Sequence, residues 1–511
     1  MSYELTAAVS CMQQRMQNIK IDFRVLLIFI LALIVRLLGI STRPIWYDEA
    51  FSILFSEKGI APMLYGTLAA TGAGTADIHP IGYYTLLWLW MKAFGESLIA
   101  VRMLSILAGM GVVCLIYLIG RELFGETTAQ LAMLFTALSP FQIHYAQEIR
   151  MYSFMALWLL LATYAYLRGS KTGQRRWWIW FAIAAALAQY THNLAAFYLI
   201  ALAITPILQR DWKSLKAVLL AGLGAVVLYI PWLIELPGQF AKVEQSYWVT
   251  RPDFSRLFTL LLVFTTNLPL PNNWLPIALF IALMLVVVGI LQTIQTIQKD
   301  GAPEGLWTLY LSFAPPLLLF LFSQWEPIYI ERALVPSGAI FMLWITWMLT
   351  DAKPPRPIQG LVFILLAAAS IMGIYEHVTF KEPFQALDAS LESRIQPGDV
   401  IVHSNKLSLL PSIYFDRSLR QVYIADASGS PEDTLAPATQ EVLGVSAKPD
   451  IQTAAGNAPR VWYIIYQTSI EEFQASGYAT HPDLEFLNSH YNLATKEVWD
   501  ELDVYLFVRK P

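Results

Sequence analysis

Two adjacent carboxylates, Asp48 and Glu49, follow the first long apolar run, within the sequence Trp-Tyr-Asp-Glu-Ala-Phe. An ionised side chain close to the apolar part of a bilayer is costly unless it has a partner or a role. The pair predicts either a general base that takes a proton from a substrate hydroxyl, helped by a second carboxylate, or a counter-ion for bound cations. The structural alternative is an acidic pair at a helix N-terminus, satisfied by backbone N–H groups.

A second polar constellation runs from His144 to Tyr152 and places an acid, a base and two phenols in one short loop. Arg150 is suited to holding a phosphate group, because its planar guanidinium matches the geometry of phosphate oxygens. The alternatives are a salt bridge from Arg150 to Glu148, or an arginine that extends to the membrane surface.

Three further arginines, Arg36, Arg102 and Arg332, lie near the expected outer ends of apolar runs. Each one alone is typical of a side chain that reaches from a helix end to the lipid headgroups. Together with Arg150, at one depth and beside a carboxylate pair, they predict an anion site suited to a membrane-borne phosphate.

His79, in the segment Asp-Ile-His-Pro, precedes a short apolar run, and it is either a substrate-orienting residue or a histidine that caps the next helix. Trp46 and Glu148 are the other candidates for orienting the substrate, although the Trp46 ring would also suit the membrane surface. No trio of His and carboxylates has the spacing of a metal site. A divalent cation would be compatible with these residues but has no support in the sequence, and no other cofactor is indicated.

The composition is that of a polytopic membrane protein, not of a soluble enzyme with a large core. The chain has 511 residues, 56% hydrophobic and 14% charged, with mean hydropathy +0.50. The net charge of −4 gives no indication of nucleic-acid binding. The two cysteines, Cys11 and Cys114, fall in the N-terminal tail and in an apolar run, so no disulfide framework is expected.

The apolar runs predict about eleven spans, with the N-terminus in the cytoplasm and the C-terminus outside. Loops rich in Lys and Arg are expected to be cytoplasmic, and all of them fall on that side only if the short run at 81–94 is an embedded helix that does not cross. The loops 41–98 and 144–151 then share the outer face. The predicted spans are 24–41, 99–120, 127–143, 151–168, 177–190, 193–209, 215–235, 274–296, 306–323, 332–350 and 359–377.

The predicted domains are a cytoplasmic tail at 1–23, a transmembrane catalytic domain at 24–379 and a soluble extracytoplasmic domain at 380–511. In the last of these, short β-rich runs alternate with helical runs, which indicates a small α/β fold. The whole is therefore expected to be an α-helical polytopic membrane protein with additional embedded juxtamembrane helices and a small C-terminal α/β domain.

These residues resemble the GT-C membrane glycosyltransferases, specifically the family-39-like (PMT-type) branch, which includes protein O-mannosyltransferases and the aminoarabinose transferases that modify lipid A. The resemblance covers about residues 24–210 and continues more weakly through 331–336. The family's usual His-Pro-Pro is His79-Pro-Ile here, and its common Arg-Tyr pair is Arg332-Ala. The matching segments are Arg43 to Ser52, Asp77 to Tyr84, Arg102 to Ser105, Gly120 to Gly125 and Ser139 to Tyr152.

The resemblance implies a GT-C-like fold and a donor sugar carried on polyprenyl phosphate, transferred with inversion on the extracytoplasmic face of the plasma (inner) membrane. Asp48, with Glu49 beside it, would be the catalytic base. The lipid phosphate would be held by Arg150, Arg332, Arg102 and Arg36 together with Tyr152. Fixed cations at headgroup depth would stabilise the departing phosphate. The acceptor would be a hydroxyl of a protein, a lipid or a glycan.

Three alternatives remain open from the sequence. A transporter or flippase for lipid-linked sugars predicts charges near the bilayer midplane and repeated halves, neither of which is evident. A polymerase or ligase for polyprenyl-linked polysaccharide would place its chemistry in one large later loop. A non-catalytic membrane scaffold would leave the convergence of the carboxylate pair with Arg150 unexplained.

Overall fold

The computed structural model describes residues 22–69, 77–245, 249–301, 303–352, 354–379, 384–426 and 434–511. Within these residues the chain is mostly helical, and a mixed β-sheet lies near its C-terminus. Of the predicted cytoplasmic tail, residues 1–21 lie outside the described part of the chain.

Most of the helices before residue 380 pack around one large apolar core, and the first helix packs in a smaller cluster beside it. The helices are α1 (Phe23–Leu37), α2 (Tyr47–Ser56), α3 (Ile60–Leu68), α4 (Gly82–Phe94), α5 (Leu98–Phe124), α6 (Glu126–Leu138), α7 (Pro140–Gln147), α8 (Tyr152–Thr172), α9 (Arg175–Thr191), α10 (Ala195–Leu208), α11 (Trp212–Leu233), α12 (Leu236–Gln245), α13 (Ser255–Thr265), α14 (Leu275–Asp300), α15 (Pro303–Phe322), α16 (Val335–Thr350, preceded by a 3-10 turn at Glu331–Leu334) and α17 (Arg356–Thr379).

In the part of the chain that the structure describes, six helices are long and apolar enough to cross a membrane. They are α5, α11, α14, α15, α16 with its preceding turn, and α17. The chain is therefore an integral membrane protein. The count of about eleven spans stays a prediction, since the helices at the other predicted spans are shorter or less apolar.

The structure corrects the predicted span at 127–143. Helix α6 ends at Leu138, and a separate helix α7 begins at Pro140, with Ser139 between them in an extended conformation. Proline fits the first turn of a helix, where its missing N–H is not needed, but it breaks a helix interior. The short run at 81–94 forms α4, whose 13 residues are fewer than a crossing needs.

Helix α16 is the centre of the membrane part and is buried along almost its whole length. Its Trp344 donates a hydrogen bond from Nε1 to Thr293 Oγ1 of α14 at 3.0 Å. Two glycines allow this close packing, because a Cβ on Gly289 would lie 2.6 Å from the Trp344 ring and one on Gly305 would lie 2.3 Å from the Trp347 ring. Helices α11 and α17 instead expose most of their apolar side chains, as expected of helices that face lipid.

The remaining chain forms a six-stranded sheet within the described residues, in the order β3-β2-β1-β4-β6-β5. Strand β1 pairs in parallel with β2 and β4, and the pairs β4–β6 and β5–β6 are antiparallel. The central strand β1 reads Val-Ile-Val-His and is buried along its length, as expected where helices cover both faces. The strands are β1 (Val400–His403), β2 (Gln421–Ile424), β3 (Ala447–Lys448), β4 (Arg460–Tyr466), β5 (Tyr491–Trp499) and β6 (Leu502–Arg509).

The helices that accompany this sheet join it to the membrane part. They are α18 (Phe384–Arg394), α19 (Lys406–Phe415), α20 (Pro437–Leu443), α21 (Ile451–Ala455), α22 (Gln467–Ala475) and α23 (Pro482–His490). Helix α19 packs on α2, and Leu409 and Leu410 belong to the same apolar core as the membrane helices. Polar contacts also join the two parts. Tyr414 donates a hydrogen bond to the Glu96 carbonyl at 2.8 Å, and Arg417 forms an ion pair with Glu57 at 2.6 Å. The domain limits and the side of the membrane stay predictions.

Candidate active site

Asp48 lies in the first turn of α2, where its negative charge is favoured by the helix dipole. Its Oδ2 accepts a hydrogen bond from Arg332 Nη1 at 2.8 Å, and the Nε of Arg150 lies 3.9 Å from the same oxygen. Burial alone would raise the pKa of Asp48, but the charges of Arg150, Arg332 and His79 outweigh it and hold that pKa below its usual value. Asp48 is therefore an ionised carboxylate held between two arginines.

Each of the two arginines is held by further contacts. Arg332 lies in the 3-10 turn before α16, and its guanidinium faces the rings of Tyr152 at 5.3 Å and Trp46 at 5.8 Å. Arg150 is buried, and its Nη1 donates to Ser52 Oγ at 3.2 Å and to Tyr84 Oη at 3.3 Å. Loops from three distant parts of the sequence thus meet at Asp48.

Glu49, predicted to be the second carboxylate that helps Asp48, is fully buried in the structure. Its side chain has 0% exposure, so it does not face a substrate. Its Oε1 accepts from the backbone N–H of Ile149 at 2.9 Å, and its Oε2 pairs with Arg102 at 3.3 Å. Glu49 therefore ties α2 to the loop that carries Arg150, and it is a positioning residue.

Arg102 and Arg36 do not form part of the anion site, contrary to the prediction. Both side chains are fully buried. Arg102 donates to the carbonyls of Ile40, Arg43 and Pro44 at 2.7–2.9 Å. Arg36 donates to three other backbone carbonyls, those of Ala32, Thr136 and Ala137. Arg102 thus satisfies carbonyls of the loop between α1 and α2, and Arg36 satisfies carbonyls at the end of α6 and within α1.

Glu148 follows α7 and is 2% exposed. In the described part of the chain, its Oε2 has no hydrogen-bond partner. Burial raises the pKa of Glu148 to about 7, although the charges of Arg43 and Arg332 oppose that rise. The predicted alternative of a salt bridge between Arg150 and Glu148 is replaced by the pair that Arg150 forms with Asp48.

His79 is held by Asp77, whose Oδ1 lies 2.5 Å from His79 Nδ1 and also accepts the His79 backbone N–H at 3.2 Å. The His79 ring packs edge-on against His192, with 4.9 Å between the ring centroids. Both histidines line a cavity of about 710 Å³ that extends along α9, α10 and α11. His79 thus lies between Asp48, whose pKa it lowers, and this cavity.

The described residues contain no cluster of three or more His, Cys, Asp or Glu side chains arranged to hold a metal ion. Sequence reasoning missed Ser52 and Tyr84, which orient Arg150. Ser52 follows Asp48 by four positions on one helix, so the two share a face, and this spacing was a usable signal. Tyr84 reaches the site from a different helix, α4, and its signal was its place in the segment Asp77 to Tyr84 that resembles the family.

Solved structures with this fold include ArnT from Cupriavidus metallidurans, a transferase of the GT-C type. The apo structure matches with a TM-score of 0.66 and 12% identity, over 94% of this chain and 97% of that one. The structure bound to undecaprenyl phosphate matches with a TM-score of 0.63 and 13% identity, over the same shares. At such low identity the match establishes the fold.

A family model, dolichyl-phosphate-mannose-protein mannosyltransferase, matches residues 78–234. A relative in Pseudomonas aeruginosa (strain UCBPP-PA14), undecaprenyl phosphate-alpha-4-amino-4-deoxy-L-arabinose arabinosyl transferase, is 29% identical over 177 residues. That match covers 33% of this chain and 32% of the relative, so it spans about a third of the relative's length. The predicted resemblance to PMT-type membrane glycosyltransferases is confirmed.

Proposed function

We propose that this protein is a membrane glycosyltransferase that moves a sugar from a polyprenyl-phosphate donor to an acceptor hydroxyl, with inversion, on the extracytoplasmic face of the plasma (inner) membrane. Asp48 is the general base. The observation that carries the proposal is the ionised Asp48 carboxylate, held between Arg332 and Arg150 at one end of the membrane helices.

In this mechanism the acceptor oxygen attacks the anomeric carbon of the sugar, and the bond from that carbon to the phosphate oxygen breaks. The bonding electrons leave with the phosphate, and the proton of the acceptor hydroxyl passes to Asp48. Negative charge grows on the phosphate as the bond breaks, so the fixed charges of Arg150 and Arg332 stabilise the transition state.

Arg150 and Arg332 can bind the Asp48 carboxylate first and the donor phosphate afterwards. Without donor, they hold the pKa of Asp48 low, which makes it a weak base. A donor phosphate competes for their guanidinium groups and weakens their hold on the carboxylate. The basicity of Asp48 then rises when the donor is in place, which favours proton transfer at that stage.

Three comparisons support the choice of donor. The P. aeruginosa relative carries undecaprenyl phosphate in its name, and an ArnT structure is bound to undecaprenyl phosphate. The family model names a dolichyl-phosphate sugar, which is also a polyprenyl-type carrier. The transmembrane helices of this chain would give such a carrier access from the bilayer.

The test is Asp48→Asn, which keeps the shape of the side chain and removes the base. We expect transfer from a polyprenyl-phosphate sugar in liposomes to fall about 10²–10⁴-fold, while binding of undecaprenyl phosphate persists because no positive charge is lost. Glu96→Gln is the matched control, since Glu96 is a carboxylate that follows α4 and has an exposed side chain. Normal turnover in Asp48→Asn would refute the mechanism.

A further inference from the structure

A chain of hydrogen bonds in the C-terminal part of the protein joins α18, α19, β1 and β2. It runs from Asp388 of α18 through Ser412 of α19 and Gln421 of β2 to His403 of β1, and from there to Ser408 of α19. Apart from Gln421, these residues are only 0–2% exposed. Buried polar groups share few protons, so the distances between them determine where each proton lies.

The contacts of Gln421 fix the orientation of its amide. Its Nε2 donates to the backbone carbonyl of Asp416 at 3.1 Å, so its Oε1 is the atom that lies 2.8 Å from His403 Nε2 and 2.7 Å from Ser412 Oγ. An amide oxygen only accepts, so both neighbours donate to it. Burial lowers the pKa of His403 to about 4, so the ring is neutral, and its Nδ1 accepts from the Ser408 hydroxyl at 3.0 Å.

The number of protons then requires that Asp388 carries one. Ser412 has a single hydroxyl proton, which goes to Gln421. Its Oγ also lies 2.6 Å from Asp388 Oδ1, and one proton shared between two acceptors would not give two contacts as short as these. The second proton therefore comes from Asp388, which is a neutral carboxylic acid that donates to Ser412.

The surroundings of Asp388 also favour the neutral acid. Its Oδ2 is buried and has no hydrogen-bond partner among the described residues. The strands β1, β4 and β6 present the apolar side chains of Ile401, Ile464 and Val504 to α18. Burial, together with the negative charge of Asp416, raises the pKa of Asp388 to about 7.

The other charges on the elements around Asp388 have partners of their own. No ion pair in the described part of the chain includes Asp388, so a negative charge there would be compensated by none of these groups. Arg394 of α18 pairs with Glu497 of β5, Arg460 of β4 pairs with Asp399, Arg417 pairs with Glu57, and Lys406 of α19 lies over the ring of Tyr47.

Helix α19 connects this network to the membrane part. One face of α19 carries the two serines of the network, and another carries Leu409 and Leu410, which belong to the apolar core that includes α2. At its first residue, Lys406 Nζ lies 5.7 Å from the ring centroid of Tyr47, the residue before Asp48. A movement of α19 away from α18 therefore changes the contacts of the helix that carries Asp48.

We propose that Asp388 is a pH-sensitive link that holds α19 in place, and with it the contact between α19 and α2. The neutral acid donates to Ser412 and completes the network. When Asp388 loses its proton, a charge is buried without an ion-pair partner among the described residues, and one of the two short contacts of Ser412 has to break. Rising pH therefore loosens α19, and falling pH holds it.

Linkage sets the pH window of this effect. The pKa of Asp388 in the closed network lies above the ordinary aspartate value, so the closed network binds the proton more tightly than the open one does. The closed state is therefore favoured at acidic pH and is lost as the pH rises from the ordinary aspartate pKa to about 7, by up to about tenfold per pH unit. Above about pH 7 the closed state is not weakened further.

Hydrogen–deuterium exchange of the full protein in nanodiscs measures this opening, with peptides from α18, α19 and α2 followed by mass spectrometry. Asp388→Asn is the test variant, because its Nδ2–H donates to Ser412 at every pH. Asp500→Asn is the matched control, since Asp500 is an exposed aspartate in the turn between β5 and β6. Comparison at equal pH removes the pH dependence of intrinsic exchange, and it also removes the effect of Glu148, which titrates over the same range in every variant.

We expect the exchange of α19 in the wild type, relative to Asp388→Asn, to rise by roughly tenfold or more as the pH approaches 7 from the acidic side. Asp500→Asn should follow the wild type. Ser412→Ala removes the acceptor of the Asp388 proton, so its α19 should exchange fast already at acidic pH. Equal pH dependence in the wild type and Asp388→Asn would overturn the proposal, and so would an α19 that stays protected at acidic pH in Ser412→Ala.

This inference does not depend on the proposed function, because exchange is measured without donor or acceptor. If the exchange results are as expected but the protein transfers no sugar from polyprenyl phosphate, only the proposed function fails. If transfer is found but Asp388→Asn exchanges like the wild type at every pH, only the pH-sensitive link fails.

Discussion

Arg332 donates a hydrogen bond from Nη1 to Asp48 Oδ2 over 2.8 Å and thereby joins residues 284 positions apart in the chain. The bond connects the start of α16, the most buried helix, to the first turn of α2. It makes the ionisation of Asp48, the proposed base, dependent on Arg332, which we propose also holds the donor phosphate.

Arg332→Gln should shift the pH dependence of transfer. Asp48 accepts a proton only when it is ionised, and Arg332 favours that form, so its loss raises the pKa of Asp48. The acidic limb of the kcat/KM profile should therefore move to higher pH by about 1 pH unit. Arg332→Lys keeps the charge and should restore the position of the limb, although the rate stays below wild type because the guanidinium fork is lost. An unshifted limb in Arg332→Gln would contradict the electrostatic link.

Glu49→Gln should act on stability more than on the chemical step. The substitution keeps an acceptor for the Ile149 N–H but removes the buried charge that faces Arg102. We expect a loss of about 1–3 kcal/mol in the free energy of unfolding, measured as a lower thermal midpoint in detergent. At temperatures where the variant is folded, its KM for donor should be near normal. An inactive Glu49→Gln variant with normal thermal stability would contradict this prediction and indicate that Glu49 takes part in the chemical step.

Glu148→Gln should remove a pH-dependent loss of stability. Burial raises the pKa of Glu148 to about 7, so the folded state holds the proton more tightly than the unfolded chain does. The wild type should therefore lose stability as the pH rises from the ordinary carboxyl pKa to about 7, by on the order of 2–3 kcal/mol. Thermal midpoints at acidic and mildly alkaline pH would measure this loss. The prediction fails if Glu148→Gln loses as much stability as the wild type over that range.

Gly305→Ala should destabilise the core around α16. Its Cβ would lie 2.3 Å from the buried ring of Trp347, and the surrounding helices leave that ring little room to move. Such overpacking typically costs about 1–3 kcal/mol, more than alanine gains in helix propensity. Gly360→Ala has nothing within 4 Å of its Cβ and serves as the control, with no loss expected. Equal thermal midpoints for the two variants would refute the packing argument.

The sequence was sufficient to predict a helical membrane protein and the meeting of Asp48, Arg150 and Arg332, because charges that flank apolar runs collect at helix ends. It was not sufficient to separate these arginines from Arg36 and Arg102, which also lie near the ends of apolar runs. The two pairs of arginines differ in their hydrogen-bond partners. Carbonyls from helix ends and loops far along the chain satisfy Arg36 and Arg102, and no local pattern encodes where those carbonyls point.

The break between α6 and α7 could not be predicted from the sequence either, because it also depends on contacts with distant parts of the chain. Pro140 was visible within the apolar run at 127–143, but proline is tolerated in several other helices of this protein, such as α11 with Pro231 and α15 with Pro315. Whether a proline kinks a helix or ends it depends on the packing around it. Here the extended Ser139 turns the chain so that α7 can pack beside α5.

The packing of α19 on α2 has a consequence for the order in which the protein matures. Helix α2, which carries Asp48, is synthesised long before its partner α19, which follows α17 in the chain. Until then, the α2 surface that receives Leu409 and Leu410 has no cover. Catalytic competence should therefore appear late, after translation has passed Phe415, and a ribosome-stalled chain that ends at α17 should insert into the membrane without transferring sugar.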